Sequence, residues 1–209
     1  MMHCVVSATA DPAEIHPGLV AHQQDMIARC PYLGPSVQRG LTLWSAYQAA
    51  PGEQADLFAM LLGHAEELRV ARRSTGILAC RNIAVLGPKD QEEARRLLQW
   101  PAWLARNLYA PVRLMVGRFW TGVELTDSRG RAMLPPPVAF FSLRTAIPSR
   151  DGLFLAEKVP QVMEVLAQAP PDDGRDVLRS VLGHEVADPA AVYHHLKARF
   201  PVPDTPRAR

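Results

Sequence analysis

The sequence is poor in the features that mark secreted, membrane-spanning and zinc-binding proteins. Its three cysteines, Cys4, Cys30 and Cys80, lack the paired spacing of a zinc site and cannot all pair with one another, which suits a reducing compartment. No stretch approaches the ~18 apolar residues that a membrane-spanning helix needs. The N-terminus also lacks the basic flank of a secretory signal. We therefore expect a soluble, cytoplasmic protein with no membrane partner.

An excess of charge of either sign is also missing. The 23 basic residues nearly balance the 21 acidic residues, which gives a formal net charge of +2. A protein that neutralises many phosphates needs a larger positive excess, so no nucleic-acid partner is expected. Lysine is rare, since only Lys89, Lys158 and Lys197 occur. This bias is typical of GC-rich coding sequences and suggests an actinobacterial source.

The common catalytic signatures are absent as well. The chain has neither the Walker loop nor the dinucleotide-binding glycine pattern, so nucleotide-dependent chemistry of those types is not expected. It also lacks the Gly-x-Ser-x-Gly elbow of many hydrolases and the His-Glu-x-x-His motif of zinc proteases. Function must therefore be inferred from single candidate residues.

Hydrophobic periodicity predicts a mixed succession of strands and helices. After a short helix over 19–29, the order is β-α-β-α-β-β-α-α-α. The predicted strands are 41–49, 77–86, 113–120 and 138–147. The predicted helices are 53–70, 89–100 with a new or kinked helix from Pro101 to about 108, 157–168, 173–182 and 189–200. This order indicates an α+β fold with one mixed β-sheet of about four strands covered by helices, and with a C-terminal helical segment.

The sequence divides into one domain with two short appendages. Residues 1–18 contain two X-Pro steps and little periodicity, so they are predicted to be an irregular N-terminal lead-in. Residues 19–200 form the single α+β domain. The Pro- and Arg-rich residues 201–209 are predicted to be a disordered tail. The polar, Pro-rich segment 121–137 between two apolar strands is predicted to be a flap over a pocket.

Two arginines interrupt strands that otherwise resemble buried strands. Because an unpaired buried charge is costly, Arg118 and Arg144 must each find a carboxylate, carbonyl or ligand partner. For Arg144 an ion pair and a ligand contact are equally supported, whereas for Arg118 a surface or ion-paired position is favoured. Asp151 follows the last strand, and it is either a turn residue or the partner of one of these arginines.

Strand alternation makes Arg144 the preferred contact residue. Phe140, Ser142 and Arg144 share one face of their strand, and this face is more polar than the other. A polar face suits a pocket wall better than a sealed core. We therefore predict Arg144 and Asp151 as catalytic-site residues, with Asp151 orienting the guanidinium group. On this hypothesis Arg144→Leu abolishes binding and leaves the fold intact.

His64 and Cys30 are further candidates, each with a structural alternative. His64 lies at the border of the buried face of helix 53–70, where a hydrogen-bonded boundary histidine is more common than a cofactor ligand. Cys30 follows the C-terminal end of a helix, where the dipole does not help to lower the pKa of a thiol. A structural role is therefore favoured for Cys30, although a thiol facing a pocket can act as a ligand. No metal site is assigned, because His184, His194 and His195 have no spacing that enforces one.

Several segments together resemble a known family. The segments are Cys30-Pro31-Tyr32, Leu108-Tyr109-Ala110-Pro111 before Leu114–Phe119, and Leu143-Arg144 before Asp151-Gly152-Leu153-Phe154-Leu155. They resemble an uncharacterised actinobacterial domain family found near natural-product biosynthesis genes, and the resemblance covers about residues 28–160. That family is in turn distantly similar to the YqcI/YcgG-like proteins, which include haem-dependent N-oxygenases that act on guanidino compounds.

The resemblance implies haem, dioxygen and a small polar substrate. Trp120 and Thr145 occupy places where the family often has histidine. On this basis haem would depend on other residues, and His64, Cys30 and Arg118 are the cofactor-binding residues that we predict. Apart from haem, no cofactor is expected.

The function expected from these features is that of an accessory or tailoring enzyme of secondary metabolism that acts on a small polar molecule. A haem-dependent oxygenase, and thus an oxidoreductase, is one form of this hypothesis. The alternative is a non-catalytic subunit that binds a small molecule or a protein partner and has lost the cofactor ligand. The sequence leaves catalysis open, and it leaves a homodimer open as a further option.

Overall fold

The computed structural model describes residues 5–49, 53–127, 130–147, 151 and 188–199. The strands are β1 (Val5–Ala10), β2 (Thr42–Gln48), β3 (Cys80–Leu86), β4 (Leu114–Phe119) and β5 (Ala139–Thr145). The helices are α1 (Pro12–Ile15), α2 (Gly18–Ile27), α3 (Leu33–Gln38), α4 (Gln54–Thr75), α5 (Gln91–Tyr109) and the C-terminal α6 (Pro189–Arg199). A single turn of 3-10 helix, Gly76–Leu78, joins α4 to β3.

The five strands form one mixed sheet in the order β1-β2-β3-β5-β4. β2 and β3 are parallel, and the other neighbouring pairs are antiparallel. The register places Trp44, Asn82, Ser142 and Gly117 side by side across four strands. Residues in one such row point to the same face of the sheet, so the topology brings these distant segments together.

Helices cover both faces of the sheet. The main core lies under α4, α5 and α6, where Leu61, Leu98 and Leu196 pack with Ile83 and Phe141 of the sheet. A smaller cluster of Leu19, Trp44 and Phe140 lies on the opposite face, beneath α2. The predicted α+β class, its mixed sheet and its C-terminal helix are therefore confirmed.

The N-terminal region and the strand number differ from the predictions. The irregular lead-in predicted over 1–18 is wrong for Val5–Ala10, which pairs antiparallel with β2 and raises the sheet to five strands. Its backbone hydrogen bonds come from β2, a partner distant in the chain, and its own sequence carries no signal of that pairing. The following α1 is capped by Asp11, whose carboxylate accepts a hydrogen bond of 2.8 Å from the backbone N–H of Ala13.

The remaining boundaries follow from local chemistry. Asp90 caps α5 by accepting a hydrogen bond of 2.8 Å from the backbone N–H of Glu93. α5 then continues through Pro101 to Tyr109, where the sequence predicts a new or kinked helix. The helices predicted at 157–168 and 173–182, and the tail at 201–209, lie outside the described residues. Within the described part of the chain, no helix is long and apolar enough to cross a membrane.

Candidate functional site

A cavity of about 350 Å³ lies on the face of the sheet that carries the smaller cluster. Its floor is formed by β2, β3, β4 and β5, and its cover consists of α2, α3 and the described part of the segment 121–137, which we call the flap. The polar and thiol side chains that line it include His22, Cys30, Cys80, Asn82, Ser142 and Arg144. Phe140, Ser142 and Arg144 share this face of β5, as the alternation of the strand predicts.

Aromatic side chains form one end of the cavity. The rings of Phe119 and Phe140 stack with their centroids 4.7 Å apart, and Trp44 lies 5.3 Å from Phe140. The Trp44 Nε1–H group donates a hydrogen bond of 2.8 Å to Oε1 of Gln23, so the indole is satisfied within the protein. This end therefore presents mainly apolar ring surface to a bound molecule.

Arg144 and Asp151 form a bidentate ion pair at the polar end. The Nη1 and Nη2 atoms of Arg144 donate to the two carboxylate oxygens of Asp151 over 2.7 and 2.8 Å. The same carboxylate accepts a bond of 2.8 Å from the backbone N–H of Ile147. Burial disfavours the charge of Arg144, but the hydrogen bonds and charge of Asp151 outweigh this effect and raise the pKa of the guanidinium. The sequence allowed Asp151 to pair with either Arg118 or Arg144, and in the structure it pairs with Arg144.

His22 of α2 is a cavity residue that sequence reasoning missed. Its side chain is 1% exposed, and its Nδ1 lies 2.8 Å from the carbonyl oxygen of Leu134 in the flap. Within the described part of the chain, its Nε2 atom has no hydrogen-bond partner. Burial lowers the pKa of the imidazole, which favours the neutral form. The only sequence signal is its spacing from Leu19 and Met26, which places it on the inner face of α2.

The flap is held against α2 by hydrogen bonds and ion pairs. The Asp25 carboxylate accepts a bond of 2.9 Å from the backbone N–H of Leu134 and two bonds, of 2.9 and 2.7 Å, from Arg29. Arg29 in turn lies 3.6 Å from Asp127 of the flap, and Asp127 pairs with Arg131 at 2.6 Å. These contacts hold the flap against α2 at the cavity, where the sequence predicts a flap.

Two of the cysteines line the cavity. Cys80 is buried, its Sγ–H group donates to Asn82 Oδ1 over 3.7 Å, and burial raises the pKa of its thiol. Cys30 is half-buried between α2 and α3 and lines the cavity together with Arg144. The pocket-facing position that was one option for Cys30 is therefore the one that the fold adopts.

The other two predicted cofactor residues lie across the sheet from Cys30. His64 belongs to α4, and its Nδ1 lies 3.5 Å from Oε2 of Glu67. Burial lowers the pKa of the His64 imidazole. Arg118 follows Leu114 and Val116 along the face of β4 that packs under the helices. The sheet therefore separates His64 and Arg118 from the cavity, and the five predicted residues do not form a single site.

The environment of Arg118 is unusual for a charged side chain. Its guanidinium lies 5.4 Å from the ring of Trp120, and its buried Nη1 has no hydrogen-bond partner among the residues that the structure describes. Burial, followed by repulsion from Arg95 and Arg106, lowers the pKa of Arg118 to about 10. Trp120 lies in the main core beside it, whereas Thr145, the other departure from the family pattern, contributes to the cavity wall.

The described residues do not offer a metal site. Among the described residues, no group of three His, Cys, Asp or Glu side chains is arranged to hold a metal ion. His194 and His195 are exposed on α6, and His184 lies outside the described residues.

No family model, curated protein or solved structure matches the chain, so the family resemblance stays a prediction.

Proposed function

We propose that this protein binds a small organic molecule in the cavity beneath the flap. The observation that carries the proposal is the cavity itself, which combines apolar walls with a few polar groups from separate segments. Ligand sites in proteins commonly have this composition and volumes of roughly 300–1,000 Å³. The volume of about 350 Å³ favours a ligand near the small end of that range.

The first candidate activity is that of an accessory or tailoring enzyme of secondary metabolism. It is supported by His22, because a neutral buried imidazole with an unpartnered nitrogen can take a proton from a bound molecule. Cys30 adds a thiol to the same cavity. The alternative is a non-catalytic binding subunit, which uses the same cavity without proton transfer. Turnover of a bound compound, abolished in a His22 variant that still binds it, distinguishes the two.

Binding can be tested by filling the cavity. Ser142 lies in the middle of the floor, between Asn82 and Gly117. We expect Ser142→Leu to abolish the thermal stabilisation that small aromatic compounds give the wild-type protein. Ser74→Leu, at an exposed position near the end of α4, is the matched control and should bind as the wild type does. Equal binding by all three proteins would place the ligand site elsewhere.

Haem is a second candidate, because an imidazole and a thiol line the cavity, although a group of that size would have to extend beyond the volume of about 350 Å³. Among the described residues the His22 Nε2 atom has no partner and could face iron, Cys30 offers a thiol, and Arg144 would have to give up its ion pair with Asp151 to face a haem carboxylate. Bound haem would supply dioxygen chemistry. The His64 and Arg118 side chains, across the sheet, would not contact this haem.

A hemin titration separates the two histidines. We expect a Soret band with the wild-type protein and with His64→Ala, and a weakened or shifted band with His22→Ala. The absence of a Soret band with the wild-type protein would end the haem candidate and leave the small-molecule proposal in place. A band lost only in His64→Ala would restore the prediction made from the sequence.

A further inference from the structure

The hydrogen bond between His22 and the flap fixes which ring nitrogen carries the proton. The carbonyl oxygen of Leu134 can only accept, so the Nδ1 of His22, 2.8 Å away, must donate. Because burial keeps the imidazole neutral, Nε2 then bears a lone pair and no hydrogen. Nε2 is buried and finds no donor among the described residues. An unsatisfied buried acceptor of this kind is costly until a donor reaches it.

The charges that line the cavity already have partners. Arg144 pairs with Asp151, and Arg29 pairs with Asp25 and lies near Asp127. A ligand with a full charge would have to compete with these ion pairs. A neutral ligand needs no such exchange, and the ring surfaces around Phe140 favour one with an aromatic body.

We infer that the ligand of this cavity belongs to the class of neutral aromatic molecules bearing an O–H or N–H group, and that His22 Nε2 accepts the hydrogen bond from that group. The inference rests on the proposed function and adds to it the chemical class of the ligand. Asn82 complements His22, since it lines the same cavity and its Nδ2 group can donate to an oxygen of the ligand.

A pair of probes that differ in one donor tests the inference. 2-Naphthol carries the required O–H group, and 2-methoxynaphthalene carries a methyl group in place of that hydrogen. We expect 2-naphthol to bind the wild-type protein about tenfold more tightly, as the loss of one hydrogen bond to a buried acceptor predicts. Isothermal titration calorimetry at neutral pH gives both dissociation constants. Equal affinities would overturn the inference.

Two matched variants separate the donor effect from the bulk of the methyl group. In His22→Phe the ring volume is kept and the acceptor is removed, so the affinity ratio of the probes should fall to about one. In His64→Phe, across the sheet, the ratio should remain about tenfold. A tenfold ratio that persists in folded His22→Phe would assign the acceptor to another group and overturn the inference.

The tautomer of His22 provides a test that needs neither a ligand nor a variant. Long-range proton–nitrogen NMR of the wild-type protein should show the hydrogen on Nδ1, the less common tautomer of a neutral histidine. A hydrogen on Nε2 would overturn the inference even where both probes bind. If neither probe binds the wild-type protein, the inference is overturned, and the proposed function fails only if small compounds of other classes also give no thermal stabilisation.

Discussion

Replacing Arg144 by leucine tests the ion pair at the polar end of the cavity. The variant removes both hydrogen bonds from the guanidinium to Asp151, whose side chain is only 9% exposed. Exposed ion pairs contribute about 0–1 kcal/mol, and breaking a fully buried pair costs about 3–5 kcal/mol. Because the Arg144 side chain is 34% exposed, we expect an intermediate loss of about 2 kcal/mol.

This loss should be visible in thermal unfolding. For a chain of this length, a loss of about 2 kcal/mol lowers Tm by roughly 4–8 °C. The sequence-based expectation that Arg144→Leu leaves the fold undisturbed is therefore revised: we expect the variant to fold, with a lower Tm and with altered ligand affinity.

A double-mutant cycle isolates the contribution of the pair. Arg144→Leu, Asp151→Leu and the double variant are compared by calorimetry, and the double variant should lose less stability than the sum of the single losses. Strictly additive losses, or a Tm for Arg144→Leu within about 1 °C of wild type, would refute the reasoning, since 1 °C corresponds to less than ~0.5 kcal/mol.

Three further predictions concern the flap, the thiols and the buried ionisable groups. Asp25→Ala removes the contacts to Arg29 and the flap, so trypsin should cut the flap at Arg131 sooner than in the wild type. In a Cys4→Ser background, iodoacetamide should label Cys30 before Cys80, because burial protects the Cys80 thiol and raises its pKa. The folded state lowers the pKa of His22 below its usual 6.5. The free energy of unfolding should therefore be highest above pH 6.5 and should decrease as the pH falls, because the unfolded chain binds this proton more readily.

Each of these predictions has a control and a contrary result. Glu67→Ala removes the ion pairs of an exposed carboxylate on α4 and should leave the cleavage rate unchanged, whereas equal rates in Asp25→Ala would show that the flap is held by other contacts. Faster labelling of Cys80 would contradict its burial. His22→Phe should lose less stability between pH 7 and pH 5 than the wild type does, and identical pH profiles would assign the effect to other groups.

Local pattern was enough to predict the strands and helices that carry the site. The alternation along β5 places Phe140, Ser142 and Arg144 on one face, and the structure has them lining the cavity. The apolar periodicity of α4 and the Pro-rich composition of the flap were similarly informative. These patterns are informative because the spacing of the apolar residues shows which face of each helix or strand is buried.

Pairings between distant segments needed the tertiary structure. The sequence left Asp151 open to Arg118 or Arg144, and the strand register decides for Arg144, while Arg118 lies on the opposite face of β4. The sequence prediction missed β1, because this strand is defined by its pairing with β2 and its own residues show no clear strand pattern.

His22 illustrates the same limit at the level of chemistry. Nothing in the neighbouring sequence marks it, because its burial, its tautomer and its unpartnered nitrogen all depend on a flap more than 100 residues away, where Leu134 accepts its hydrogen bond. Conversely, His64 has the helical position of a boundary residue, and the order of the sheet and helices puts it on the side away from the cavity. The sequence by itself determined the elements and their buried faces. Only the tertiary structure decided which side chains share a cavity, because that depends on contacts between segments remote in the chain.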